Sequence, residues 1–286
     1  MIFDLKGAWR LDTPKQTLVL AQLGTALPQV VYWGGALPHG EDLATVAKAQ
    51  VMDVTGGMVD ANSPVTILPL RKDTYPGHTG LIAYTGDGQP IVPDFAHISV
   101  EQDEDGLMIE ARDAAHGLIY CASFKAWDQG LISCDATLDS AMPIRFDWLS
   151  APVLPGSAQA STITEYTGRW CGEFIANDVP WQAGQRRRDN PTGRTDHAHF
   201  PALILKTHGC SNTRGEAWSL HYGNASGHTH IAEQFPDGRR QIQFGKAQGS
   251  QLETGSHFST GLLYLGYSDQ GLNGIAVQNQ RFVRDE

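Results

Sequence analysis

Residues His97–Leu149 read HISVEQDEDGLMIEARDAAHGLIYCASFKAWDQGLISCDATLDSAMPIRFDWL, and this stretch decides the fold class. HISVEQ and LMIEARD alternate apolar and polar residues on either side of Asp103–Gly106. GLIYCASFKAW and LISCDATLD repeat the pattern across Asp128–Gly130, and IRFDWLSAPVL closes the set. Alternation with period two puts the apolar side chains of a strand on one face. Asp-Gly and Asp-x-Gly between such runs supply the backbone freedom of a tight reversal. Strands recurring with turns about every 8–12 residues predict a sandwich or barrel.

The same style extends in both directions. TLVLAQL (17–23) and VVYW (30–33) read as early strands, and PALILKTH, EAWSLHYGN, THIAEQF and RRQIQFGK as later ones, with Pro236–Gly238 turning between the last two. The helical candidate is Asp42–Met52, whose apolar positions fit a 3.6-residue period loosely. Gln182–Asn190 (QAGQRRRDN) reads as a polar loop whose three arginines face solvent. Pro152–Ala160 reads as the connection between two halves, too short for a flexible linker. There is no internal repeat and no low-complexity tract. The expectation is one all-β domain over residues 1–286, a large two-sheet antiparallel supersandwich of the galactose-mutarotase-like kind, with few short helices.

The bulk composition agrees. The 286 residues are 41% hydrophobic and 18% charged, with 31 glycines and 15 prolines, enough to build a core and many turns. The net charge of −10 disfavours nucleic acid and anionic membranes as partners and is compatible with a neutral ligand such as a sugar. Cys121, Cys134, Cys171 and Cys210 match no zinc or CxxC spacing and read as small buried hydrophobes. The N-terminus MIFDLKGAWRLD lacks a charged-then-apolar leader, and no stretch approaches about 18 uninterrupted apolar residues. The expected location is the cytoplasm.

No single motif announces chemistry. His197–His199 and His228–His230 are His-x-His pairs that a strand would place on one face, but spacing supplies no third ligand, so no metal is expected. No glycine-rich loop precedes a helix and no GxSxG elbow occurs, so no cofactor is expected. The acid pair of a glycosidase comes from distant strands and is not legible from spacing. Trp170 and Trp218 sit in alternating runs and read first as core or inter-sheet residues.

Longer segments in a fixed order say more. VYWG (31–34) is followed by YTGRWCGEF (166–174), GRT (193–195), HFPALIL (199–205), GEAWSLHY (215–222) and ASGHTH (225–230). DGRRQIQ (237–243), GSHF (255–258), YSDQGLNG (267–274) and FVR (282–284) complete the series. Together they resemble the N-terminal domain of glycoside hydrolase family 36 α-galactosidases, from about Leu18 to Arg284. The resemblance implies a β-supersandwich ahead of a (β/α)8 barrel that performs retaining hydrolysis with two aspartates. A barrel needs roughly 200 residues, and the chain is expected to stop about where its connection begins, so no catalytic residue is carried over. The implied partners are that barrel, an α-galactoside in the full enzyme, and further copies of the parent in a homo-oligomer. The implied roles are barrel docking, oligomerisation and formation of the substrate pocket wall.

In such enzymes a loop of this domain can reach the sugar pocket, often that of a neighbouring subunit. The matching loop follows VYWG and runs to about Tyr84. The side chains expected at the sugar are Trp33, Asp60 and Arg71, an aromatic face for sugar C–H bonds and two charged groups for hydroxyls. Two other readings remain: a free-standing carbohydrate-binding β-sandwich, and an enzyme that acts on sugars through acidic residues of the sandwich itself.

Overall fold

The computed structural model describes residues 3–52, 62–194, 197–224, 226–247 and 253–286. The chain opens with an antiparallel meander of β1 (Leu5–Asp12), β2 (Gln16–Leu23) and β3 (Gln29–Gly35). Helix α1 (Leu43–Ala49) falls within the expected Asp42–Met52 segment. The Asp42 carboxylate starts it by accepting from the Ala44 N–H at 3.0 Å. A short 3-10 turn, Arg71–Asp73, precedes β4 (Leu81–Tyr84).

The stretch that set the fold class forms β5 (His97–Gln102), β6 (Gly106–Asp113), β7 (Leu118–Ala126) and β8 (Ile132–Leu149). The reversals fall at Asp103–Gly106 and Asp128–Gly130, as read. In β6 the alternation is literal: Leu107 and Ile109 are buried while Met108 between them is exposed. The expected break between LISCDATLD and IRFDWL does not occur, because β8 runs through both. Pro143, which cannot donate to a ladder, sits where the pairing of β8 is interrupted between Asp139 and Ile144.

The chain continues through β9 (Leu154–Pro155), β10 (Ala160–Arg169), β11 (Gly172–Pro180), β12 (Gly184–Asn190) and β13 (Ala202–Thr207). Then come β14 (Ala217–Tyr222), β15 (His228–Gln234), β16 (Arg240–Lys246), β17 (Glu253–Ser259), β18 (Leu263–Ser268) and helix α2 (Leu272–Asp285). Among the described residues, eleven strands form one sheet in the order β11-β10-β13-β14-β18-β8-β7-β6-β5, with β17 and β4 also paired to β8. The facing layer has two parts, β1-β2-β3 and β12-β15-β16-β9. Ile67 joins them: its N–H donates to the Pro28 carbonyl at 2.8 Å, and its carbonyl accepts from the Val153 N–H at 2.9 Å. The all-β, antiparallel, two-layer expectation therefore holds, with Ile67 bridging the second layer.

One apolar cluster fills the space between the layers. Leu18, Leu20, Ile67, Ile242 and Phe244 come from one side, and Ile109, Tyr120, Leu138, Leu205, Leu220 and Leu265 from the other. Each fully buried aliphatic side chain stabilises the fold by about 1.5–3 kcal/mol relative to exposure. No helix among the described residues is long and apolar enough to cross a membrane.

Further sequence expectations are corrected. Gln182–Asn190 is not a loop: β12 pairs with β15 in register from Gly184 to Asn190. Its polar sequence hides the strand because the ladder, and not an apolar face, holds it. Cys171 is exposed, in contrast to the buried Cys134, since it occupies the β10–β11 reversal at φ 62°. Trp170 at the same reversal is 83% exposed, whereas Trp218 is buried. Helix α2 has no counterpart in the sequence reading, because Gly271 and Gly274 obscure its period. It is held by packing: Leu272 and Ile275 lie on Ile204 and Ala217 of the outer sheet face. Gln278 Nε2 donates to the Tyr267 carbonyl at 2.7 Å. Gly274 is required, since a Cβ there would lie 2.0 Å from Ser268 Oγ.

Candidate functional site

Of the three residues expected at a sugar, Trp33 and Arg71 are described, and they do not share one surface. Trp33, on β3, is 8% exposed and belongs to the core between the layers. Its indole N–H donates to Gln16 Oε1 at 2.8 Å, and its carbonyl accepts from the Trp218 indole at 3.0 Å. Arg71 is exposed at the start of the 3-10 turn. Asp60 lies outside the described residues.

The second half of the same loop is fixed by a polar network that sequence reasoning did not find. Ile242 and Phe244 of β16 point into the core, so period two sends Gln241 and Gln243 to the outer face, where both are nevertheless fully buried. The cover is the segment Tyr75–Gly80. Glu233 Oε2 accepts from the His78 N–H at 2.9 Å and from Gln241 Nε2 at 2.6 Å. Gln243 Nε2 donates to the His78 carbonyl at 2.6 Å, and Gln243 Oε1 accepts from the Trp148 indole at 3.0 Å. The Tyr75 hydroxyl donates to Gln241 Oε1 at 2.9 Å, and its ring meets Phe235 edge-on at 5.4 Å. Burial, reinforced by the Glu233 charge, pushes the Tyr75 phenol well above its ordinary range. Gly77 allows the close approach: a Cβ there would fall 2.3 Å from Phe235 and 2.8 Å from Glu233.

This anchoring carries forward to the turn that bears Arg71. The Ser63 hydroxyl donates to the Asp73 carbonyl, Arg239 donates to the Ser63 carbonyl, and Lys72 pairs with Asp94. Arg71 thus leaves a turn whose two flanks are tied to the scaffold. A guanidinium so placed can bind hydroxyl oxygens or a carboxylate with a fixed fork of donors. The signal in the sequence was Gln-x-Gln on the strand RRQIQFGK; nothing in it says that the loop folds back on that strand.

A second cluster lies between β10 and β12. Glu165 is buried, and Arg186 Nε donates to its Oε1 at 2.8 Å while Arg186 Nη2 donates to Oε2. Arg188 Nη1 lies 3.4 Å from Oε2, and His230 Nε2 lies 3.5 Å from Oε1. Burial alone would raise the Glu165 carboxyl. The hydrogen bonds and charges of His230 and Arg186 outweigh it and hold the group at about 2. Burial lowers His230, which rests against Phe244 at 5.4 Å and His228 at 6.0 Å. A carboxylate held so low is ill-suited to give or take protons near neutrality. Its geometry is that of a structural clamp. The His228–His230 pair shares one face of β15, as the spacing predicts, and both side chains are buried, as are Thr229 and Ile231 on the other face.

The chain matches the family described as "Glycosyl hydrolase family 36 N-terminal domain" over residues 26–251. It is 30% identical over 285 residues to an α-galactosidase from Escherichia coli, covering 97% of this chain and 39% of that relative. Its fold is similar to that of the family 36 α-galactosidase AgaA from Geobacillus stearothermophilus in complex with 1-deoxygalactonojirimycin. There the TM-score is 0.83 and the identity 16%, over 97% of this chain and 43% of the other. An α-galactosidase from Lactobacillus brevis gives a TM-score of 0.82 and 14% identity, over 97% of this chain and 41% of the other. The chain therefore spans about two fifths of the length of the proteins it resembles.

Proposed function

The chain belongs to the glycosyl hydrolase family 36 N-terminal domain family, and from that premise we propose that it is the non-catalytic N-terminal domain of an α-galactosidase. The chemistry, retaining hydrolysis of terminal α-galactosides, belongs to a barrel domain of the complete enzyme. The single observation that carries this reading is the family match, joined to a relative of which the chain covers 39%. The domain supplies a docking face for the barrel, surfaces for assembly into a homo-oligomer, and a loop that walls the substrate pocket of a neighbouring subunit.

The anchored loop gives the last role its physical basis. Loops that a rigid scaffold holds in place are the usual carriers of binding residues. Arg71 and Asp60 are the charged groups that reach the sugar; Trp33 contributes from beneath, by fixing β3 against the large sheet.

The test is turnover of a chromogenic α-galactoside by the complete gene product and by the 286-residue chain. Activity of the first and inactivity of the second is expected. Turnover by the shorter chain that a Glu or Asp substitution within it abolishes would overturn the reading in favour of a sandwich-borne enzyme. A gene product that binds galactosides without cleaving them would favour a free-standing binding module.

A further inference from the structure

The outer face of the large sheet carries a ribbon of aromatic rings that leads from helix α2 to the β10–β11 hairpin. Phe282 of α2 meets Tyr264 of β18 at 5.2 Å between centroids. Tyr264 is directly opposite His221 of β14, and residues opposite one another in an antiparallel pair point to the same face. The His221 ring lies 5.4 Å from Phe200, which lies 5.0 Å from Phe174 of β11. Helix α2 covers the sheet over Ile204, Ala217 and Tyr264. Beyond it the ribbon opens to solvent: Phe174 is 58% exposed and Trp170, at the hairpin tip, 83%. Strand β11 is also the end of the sheet order, and among the described residues no strand pairs with its outer backbone edge.

An exposed tryptophan and phenylalanine beside an open sheet edge mark a protein interface, because Trp is the side chain most enriched among dominant interface residues. We infer that this ribbon, with Trp170 as its anchor, is the surface on which the domain following α2 in the same polypeptide docks. The inference rests on the reading of the chain as an N-terminal domain. Two observations choose this occupant. About three fifths of the Escherichia coli relative lies outside the matched stretch. Phe282, near the end of helix α2, forms the other end of the ribbon, with Val283 exposed beside it, so any continuation of the backbone starts at that end of the ribbon. A surface reached by its own tether needs less intrinsic affinity, since the linker sets a high effective concentration.

Hydrogen–deuterium exchange of the 286-residue chain and of the complete polypeptide of its gene tests the inference. The expected result is slowing of the Gly172–Asp178 amides in the complete polypeptide by at least about tenfold, and loss of that slowing in W170S and F174S with unchanged circular dichroism. A complete polypeptide with a following domain but equal exchange in both forms overturns the docking surface and leaves the proposed function standing. Protection that appears in the shorter chain and rises with protein concentration overturns it in favour of a second copy as the occupant. A gene that ends at Glu286 overturns both this inference and the N-terminal-domain reading.

Discussion

Glu165 and Arg186 join the two layers of the sandwich: a carboxylate on β10 of the large sheet receives a two-pronged guanidinium from β12 of the smaller one, with Nε at 2.8 Å from Oε1. The carboxylate side chain is 3% exposed and the guanidinium side chain 37%. The pair is thus asymmetric. Removing the arginine strands a buried charge, while removing the glutamate leaves an arginine that water can reach.

This clamp makes the fold acid-sensitive. Glu165 has a folded value of about 2, below the roughly 4.3 of an unfolded glutamate. The unfolded chain takes up the proton first, so the stabilisation is complete above about pH 4.3 and is lost as pH falls towards the folded value. His230 acts in the same direction: its folded value is lowered, so its contribution fades as pH drops below the unfolded histidine value of about 6.5. Urea midpoints measured between pH 7 and pH 3 are expected to fall steadily. Arg186→Met is expected to lower stability at pH 7 by about 1.5–3 kcal/mol and to flatten the acid limb. An acid limb of unchanged slope in that variant would remove the pair as its cause.

The loop network gives a prediction for its smallest residue and for its shared acceptor. Gly77→Ala places a methyl group 2.3 Å from Phe235 and is expected to cost about 1–3 kcal/mol through overpacking. Glu233→Ala removes the acceptor shared by the His78 N–H and Gln241. Limited proteolysis is the readout: both variants are expected to be cut within residues 71–80 faster than the parent, with the core fragments intact. Cleavage rates equal to the parent in both would show that the network does not hold the loop.

Trp33 and Arg71 separate in their effects. Trp33→Ala empties part of the core and leaves Gln16 Oε1 without its indole donor, so a loss of about 3–5 kcal/mol is expected in denaturant unfolding. A loss under about 1 kcal/mol would mean that the ring does not pack as described.

Arg71→Ala is expected to leave unfolding within about 0.5 kcal/mol of the parent, as for most exposed side chains. In the complete enzyme it is expected to weaken substrate affinity about ten- to a hundredfold, the value of one hydrogen bond to a charged group. Unchanged KM and kcat would assign the residue no part in the sugar pocket.

The sequence by itself determined the antiparallel strand pattern and the family. Period-two runs such as LMIEARD and the turns Asp103–Gly106, Asp128–Gly130 and Pro236–Gly238 are local signals, and local signals survive in a single chain. The Trp170 exposure, strand β12 and helix α2 were illegible for the opposite reason. Trp170 sits in an alternating run, but the run ends at a reversal where no layer covers it. GQRRRDN has no apolar face, and becomes a strand because β15 offers a ladder and Glu165 offers Arg186 a counter-charge. Helix α2 carries two glycines at its start and gains its order from Ile204, Ala217 and Ser268 beneath it. The candidate site divides the same way. A basic residue in a loop after VYWG could be read from the sequence. That Trp33 lies in the core and that Glu233, Gln241 and Gln243 hold the loop were decided only when β3 and β16 found their places in one layer. Contacts between residues 165 positions apart, as between His78 and Gln243, have no local period to betray them.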